Sequence, residues 1–426
     1  MCLAGMKPAF RHLAGVGLIF ILGWSIPAGA MTLTVDARAG ALQAALAASA
    51  SGDVLQLQPG VHRGSLHIHH PLTLQGVDGV VIDGGGHGRV ITIDAPDVVL
   101  RGLTIRGSGD SLATEDSAVF VTAMGDRALI EQNRLEGNLI GVNLKGPQDA
   151  VVRGNRIEGS QYHRVNDRGN GVHLWNTPGS IVEGNDIRYG RDGIFVTTSR
   201  KNAFRNNRFE QLRFAIHYMY THDSEISGNV SVGNHVGYAL MYSDHLTVSN
   251  NASLGDRDRG LFFNYANYSE ITRNRIRDAE KCVFIYNANM NSFKGNRFEG
   301  CQIGIHFTAG SEQNRISDNA FIENRNQVKY VGTRHIQWSE GGRGNYWSDH
   351  VAYDIDGDGI ADRAYRPNDL ADQVMWRRPL AKLLLNSPAV QVLRWAQSAF
   401  PTVFPGGVTD SAPLMAAPVL GVLADG

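Results

Sequence analysis

Cysteine is nearly absent from this chain: three residues in 426, of which Cys2 lies in the leader, leaving Cys282 and Cys301. A fold of this length with so few cysteines does not rest on a disulfide framework. On neighbouring repeats the two sit about three residues out of register, and at roughly 3.3 Å per residue along a strand that offset separates them beyond easy bridging. Two free or buried thiols are expected unless a turn corrects the offset. Charge of one sign is also missing. Removing Lys7 and Arg11 from 40 basic residues leaves 38 against 41 acidic ones, so the dense basic patch that nucleic acid requires is absent. Beyond the leader no uninterrupted apolar run is long enough for a transmembrane helix.

The leader has the three parts of a secretory signal. Lys7 and Arg11 form a basic region, Val16 to Trp24 an apolar core too short to span a bilayer, and Pro27-Ala28-Gly29-Ala30 a small-residue cleavage site. Residues 1–30 are read as a signal peptide, 31–365 as the folded body and 366–426 as a C-terminal extension.

What is abundant is repetition. Asn133, Asn155, Asn185, Asn207, Asn229, Asn251, Asn274, Asn296 and Asn319 each open a similar phrase, spaced 22, 30, 22, 22, 22, 23, 22 and 23 residues apart. A short fixed period marks a stacked repeat architecture. In each repeat a small residue opens a strand, as in Gly193-Ile-Phe-Val-Thr or Gly260-Leu-Phe-Phe-Asn. Its second and fourth residues are apolar, which points them inward. A second short strand follows each asparagine, as in Arg208-Phe209. The asparagine is expected in a turn where left-handed backbone is tolerable, its side chain joining an internal ladder. The fold class that follows is all-β: a right-handed parallel β-helix of 22–23-residue rungs. Residues 31–58, with an Ala-rich helical stretch around Leu42 and Leu46, would cap the open first rung. The 30-residue gap holds an insertion, Gln161 to Arg168, bulging from one corner.

Positions three and five of the main strands point outward and form columns. Position three reads Asn143, His173, Phe195, His217, Ala239, Phe262, Phe284, His306; position five reads Lys145, Trp175, Thr197, Met219, Met241, Asn264, Tyr286, Thr308. So much aromatic, Met and His character on an outer face suggests a binding surface. His173, Trp175, Phe262, Phe284, Tyr286 and His306 are its partner-binding candidates. Met219 and Met241 fall on adjacent rungs, where two thioethers suit one Cu(I), with His217 and His222 as further donors. The alternative is a docking face or saccharide groove in which the methionines are adaptable contacts. Asp192, Asp223 and Asp244 lie near strand ends without forming an evident catalytic pair. His67, His69 and His70 invite a metal reading, but alternate histidines on a β-coil read first as solvent-facing.

Asp354, Asp356, Asp358 and Asp362 take positions 1, 3, 5 and 9 of a loop with Gly359 at 6, a spacing that wraps calcium. Tyr365 at position twelve rules out an EF-hand, and the alternative is a tight acidic turn. Residues 345–365 are expected to close the helix's far end. Beyond Pro379, two short amphipathic helices broken at Ser387-Pro388 lead into an apolar tail. Leu383, Leu384, Trp395, Phe400, Phe404, Leu414 and Met415 are its candidate docking residues.

The export signal, the repeats, the segment Asn345-Tyr346-Trp347-Ser348-Asp349 running into Tyr353-Asp-Ile-Asp-Gly-Asp-Gly-Ile360, and the Leu/Pro tail together resemble the NosD family across essentially the whole mature chain. The repeats alone are shared with epimerases and lyases; the join of these segments is more specific. The resemblance implies a periplasmic, non-enzymatic subunit of an ABC transporter with permease NosY and ATPase NosF. It further implies receipt of copper from the lipoprotein chaperone NosL and a part in copper-centre assembly of nitrous oxide reductase. The rival expectation is a periplasmic carbohydrate-active β-helix of the alginate epimerase or lyase type.

Overall fold

A computed structural model describes residues 30–161, 164–367, 387–399 and 406–419, together with Leu380 and Leu384. The leader, Leu383, Phe400 and Phe404 lie outside the described residues. The body is a right-handed parallel β-helix with three parallel sheets: A of 13 strands, B of 13 and C of 12. One turn runs Leu129–Glu131 in A, Arg134–Asn138 in B and Ile140–Lys145 in C, and the next repeats the course through Val151–Arg153, Arg156–Gly159 and Val172–Trp175. Each turn thus carries three strands, where the repeat pattern indicates two. The unexpected one is the short sheet-A strand before each ladder asparagine. In three residues only the middle one faces inward, such as Ile130 or Val152, so no alternation is visible.

Rungs stack in strict register, with Asn143, Leu144 and Lys145 opposite His173, Leu174 and Trp175. The inward residues Val172, Leu174, Ile194, Val196, Ile216 and Leu240 are fully buried. The small residue that opens each sheet-C strand has a packing cause: a Cβ on Gly260 would meet Ile276 Cγ2 at 2.3 Å.

The asparagine ladder is continuous. Asn229 Nδ2 donates to Phe204 O at 2.8 Å and to Asn251 Oδ1 at 3.0 Å, and the backbone N–H of Asn229 donates to the same oxygen at 3.0 Å. The same pattern carries from Asn133 through Asn319 to Asn345. Each asparagine closes the strand peptides at its corner while passing one bond to the next rung, satisfying buried backbone that would otherwise be orphaned. The left-handed residue is the one before it, as at Gln132, Asn206, Asn250 and Arg273, with φ between 53° and 56°; the asparagine itself turns inward.

Both ends are closed. The helix Ala41–Ala48 buries Leu42 against the first rung, which begins with the strand Thr32–Val35 paired to Val54–Leu57. At the other end Gly407–Thr409 pairs with His335–Gln337. Asp410 is buried and accepts hydrogen bonds from Asn345 N at 2.7 Å and Trp347 Nε1 at 2.8 Å, ending the ladder. Burial raises the Asp410 carboxyl above its usual range, against the pull of those donors. The tail therefore lies partly on the chain itself. Leu414, read from sequence as a docking residue, is 6 % exposed and bridges Tyr346 and Ile360.

Cys282 and Cys301 are disulfide-bonded, with Cα atoms 5.7 Å apart. The expectation of free thiols fails because Cys301 is not in a strand. It sits in the bend between sheets B and C, where Gln302 N donates to Ala279 O. Cys282 occupies the small inward position at the start of the preceding rung's strand, facing that same corner. The turn removes the three-residue offset.

Candidate functional site

The outward strip lies on sheet C, from the strand Val172–Trp175 to the strand Ile303–Thr308. It is less open than its composition suggests. Asn143 and Ala239 are fully buried and Phe262 is 9 % exposed. Stacked neighbours and arginines cover them: the Arg259 guanidinium lies 4.5 Å from the Phe262 ring centre and 4.9 Å from that of Phe284. His306 packs 4.9 Å from Phe284, and His173 5.2 Å from Phe195. Burial drives both imidazoles down to about 4, so they are neutral near neutral pH. Trp175 and Tyr286 remain well exposed.

Met219 and Met241 are register partners on adjacent rungs, both half-buried, about 4.8 Å apart along the helix axis. His217 lies two residues before Met219 and hence on the same side of the strand. Its ring is held on three sides. Nδ1 donates to Asp192 Oδ2 at 3.1 Å, and the rings of Phe195 and Phe214 flank it at 5.0 and 4.8 Å. Asp192 is fully buried and also takes both arms of Arg213, at 2.8 and 2.7 Å. Burial alone would raise the Asp192 carboxyl, but the His217 and Arg213 donors outweigh it and hold it below its usual range. The Asp192 carboxylate behind Nδ1 orients the His217 ring, the kind of outer support that metal-binding histidines use. Asn264 follows Met241 in the column, and its side-chain oxygen has no hydrogen-bond partner among the described residues.

His222 stands apart from this set. It lies past the bend at Tyr220 (φ 52°), and its Nδ1 accepts the Asp244 N–H at 3.1 Å. That lone pair is already used. Beside the methionines runs a feature the sequence reading passed over: Tyr220, Tyr242 and Tyr265 stack face to face at 5.0 and 5.2 Å, each in left-handed backbone. The signal was present, since each directly follows a position-five residue. Tyr242, stacked on both faces, presents only its edge and hydroxyl to solvent, which is a poor platform for a sugar ring.

At the C-terminal end, Asp354, Asp356 and Asp358 each bring an oxygen within 4.8 Å of the others. Asp354 accepts the N–H groups of Gly357 and Gly359 at 2.7 and 2.9 Å, which lower its carboxyl below the usual range, the Gly359 bond most. Asp362 is outside this trio and accepts Ile355 N at 2.8 Å. Leu384 and Trp395 are exposed, the latter on the helix Pro388–Ala399, and Met415 is 36 % exposed. No described helix is long and apolar enough to cross a membrane.

A family model described as NosD, periplasmic copper-binding protein, matches residues 153–352. A probable ABC transporter binding protein NosD of Stutzerimonas stutzeri is 42 % identical over 407 residues, covering 90 % of this chain and 93 % of that one. Its counterpart in Pseudomonas aeruginosa is 44 % identical over 376 residues, covering 85 % and 88 %. Among solved structures, the A-module of the Azotobacter vinelandii mannuronan C-5 epimerase AlgE6 superposes with a TM-score of 0.52 at 16 % identity, over 69 % of this chain and 90 % of that one. A Thermotoga maritima exopolygalacturonase gives 0.54 at 11 % identity, over 71 % and 92 %. These two share the β-helix fold.

Proposed function

The chain belongs to the NosD family, and from that membership we propose that it is the periplasmic binding component of an ABC transporter, accepting Cu(I) on its sheet-C strip. The observation that carries this reading is the donor set of Met219 and Met241 in register with His217, whose ring Asp192 orients. Two thioethers and one imidazole are soft-to-borderline ligands that select Cu(I). Their outer position suits transfer to and from a partner. His222 belongs to the set only if its proton shifts to free a nitrogen, so it is secondary.

In the same proposal the copper donor is a lipoprotein chaperone, NosL, the client is nitrous oxide reductase, and the permease NosY and ATPase NosF form the transporter. His173, Trp175, Phe284, Tyr286 and His306 lie two or three rungs to either side along the same strip and would receive the donor or client. Leu384, Trp395 and Met415 are left outward to meet the permease. A catalytic role is disfavoured. The buried carboxylate of the strip, Asp192, is committed to Arg213 and His217 and is not free as a general base. The acidic loop is assigned a structural Ca2+ held by Asp354, Asp356 and Asp358.

The test is anaerobic competition for Cu(I) against a chromogenic chelator. Wild type is expected to take up stoichiometric copper, and Met219→Ala/Met241→Ala to lose it, with His217→Ala weakening it. A wild-type chain that takes none sinks the site, and alginate binding by that chain would then favour the carbohydrate reading.

A further inference from the structure

The first rungs hold a second group of donor side chains, remote from the methionine strip. His67 and His69 alternate with the buried Leu66 and Ile68 of the strand Leu66–Ile68, so both imidazoles project from the outer face of sheet C. This strand is the terminal strand of the sheet. One rung on, Ile68 pairs with Ile93 and Asp94 N donates to Ile68 O at 2.8 Å, which sets Asp94 over His69. One Asp94 oxygen stands 3.8 Å from His67 Nε2 and 3.8 Å from His69 Nδ1. The two imidazole centres are 3.8 Å apart, and one ligand atom from each of the three residues lies within 4.8 Å of the others.

Further features favour ligation over chance proximity. Thr122 Oγ1 donates to the other Asp94 oxygen at 2.6 Å, fixing the carboxylate as ligand carboxylates are fixed. The third histidine of the run, His70, hydrogen-bonds Ser49 Oγ beside the cap at 3.1 Å and lines the same pocket. A shallow pocket of about 420 Å³, lined by Gln43, Leu46 and Ala47 of the cap helix as well as both histidines, leaves room for water or a further ligand.

We propose that His67, His69 and Asp94 form a binding site for a divalent first-row transition-metal ion, Zn2+ or Cu2+ in chemical class. Two imidazoles and one carboxylate, with no sulfur, are the donor set of such ions rather than of Cu(I). Three protein ligands and an open position describe a site that exchanges its ion or completes its shell from solvent. The bound ion also ties the terminal strand of sheet C to the strand above it, at an edge where no further strand pairs among the described residues. The site is independent of the Cu(I) reading.

The experiment titrates the untagged, metal-stripped chain with Zn2+, and in a separate series with Cu2+, against a chromogenic chelator near neutral pH, with melting curves in parallel. Stoichiometric Zn2+ uptake and a raised melting temperature are expected. His67→Ala/His69→Ala loses both, and Asp94→Asn weakens uptake by roughly tenfold or more. Met219→Ala/Met241→Ala keeps full Zn2+ uptake, which separates this site from the methionine pair. Equal metal-free melting of wild type and the exposed-histidine variant establishes that the fold is intact. A wild-type chain that takes up neither Zn2+ nor Cu2+, or a histidine variant that still binds, overturns the proposal.

Discussion

Asp256 shows how one position in a repeat changes the chemistry of its corner. The rung below places Asn234 there and the backbone N–H of Asn234 donates to Asp256 Oδ1 at 2.8 Å, while Ser231 and Ser253 donate to Oδ2 at 2.7 and 2.6 Å. Burial pushes the carboxyl up to about 6, and these donors only partly offset it. A raised folded-state value means the native chain holds this proton more tightly than the unfolded one. The contribution is full below the unfolded value near 4 and is lost as pH rises through about 6. A shift from 3.8 to about 6 corresponds to about 3 kcal/mol. Asp256→Asn is expected to fold, since its oxygen can accept from Asn234 and both serines can turn to accept from its amide. Urea midpoints measured from pH ~4 to ~7 should converge at the acid end and favour the variant above pH ~6. Parallel curves would refute it. His217 is the other instructive residue: its place in an outward column is legible, but the carboxylate that orients its ring is not, because Asp192 lies 25 residues earlier.

Among the elements, the corner between sheets B and C carries the disulfide. It closes a separation of 19 residues, and a loop of that size is worth about 3 kcal/mol in the chain-entropy account. Cys282→Ala/Cys301→Ala is expected to keep its β-sheet circular dichroism while losing about that much stability in urea, because the ladder and core persist on either side. Thiol titration of the denatured, unreduced wild type should find neither cysteine free, and two titratable thiols would contradict the bond. The strands themselves were unequally legible. Within the regular repeats the sheet-C strands hold four to nine residues, enough for alternation to declare which side is buried. The sheet-A strands that precede the ladder asparagines hold three, and a single inward residue such as Val182 carries no period.

For the whole molecule, the ends govern what the stack can do. The acidic loop is bonded to the closing tail, Ala361 N to Pro413 O at 2.7 Å and Met415 N to Gly359 O at 3.0 Å. An ion ordering that loop would therefore tighten the cap over Trp347, which stacks at 4.3 Å on Phe321 and 4.5 Å on Tyr365. Saturating Ca2+ is expected to raise the melting temperature, by about 2.7 kcal/mol of stabilisation at a hundredfold excess over the dissociation constant. Asp354→Asn/Asp356→Asn should abolish the rise. Equal shifts in wild type and variant would assign the effect elsewhere. The tail that looks apolar and unpartnered in sequence divides at this scale: Leu414 seals the last rung, while Trp395 stays exposed.

The sequence by itself determined the architecture, because in a stacked coil the neighbour of each residue is the one a period away. A 22–23-residue repeat therefore states the register, the inward apolar set, the asparagine ladder and the adjacency of Met219 and Met241. The tertiary structure decided everything that depends on corners and ends. It brought Cys301 onto Cys282, put Asp192 behind His217, folded Leu414 under the final rung and joined His67 and His69 to Asp94. These contacts cross bends or rungs at separations other than the 22–23-residue period. Their geometry is set by left-handed turn residues and by packing, which one-dimensional spacing does not encode.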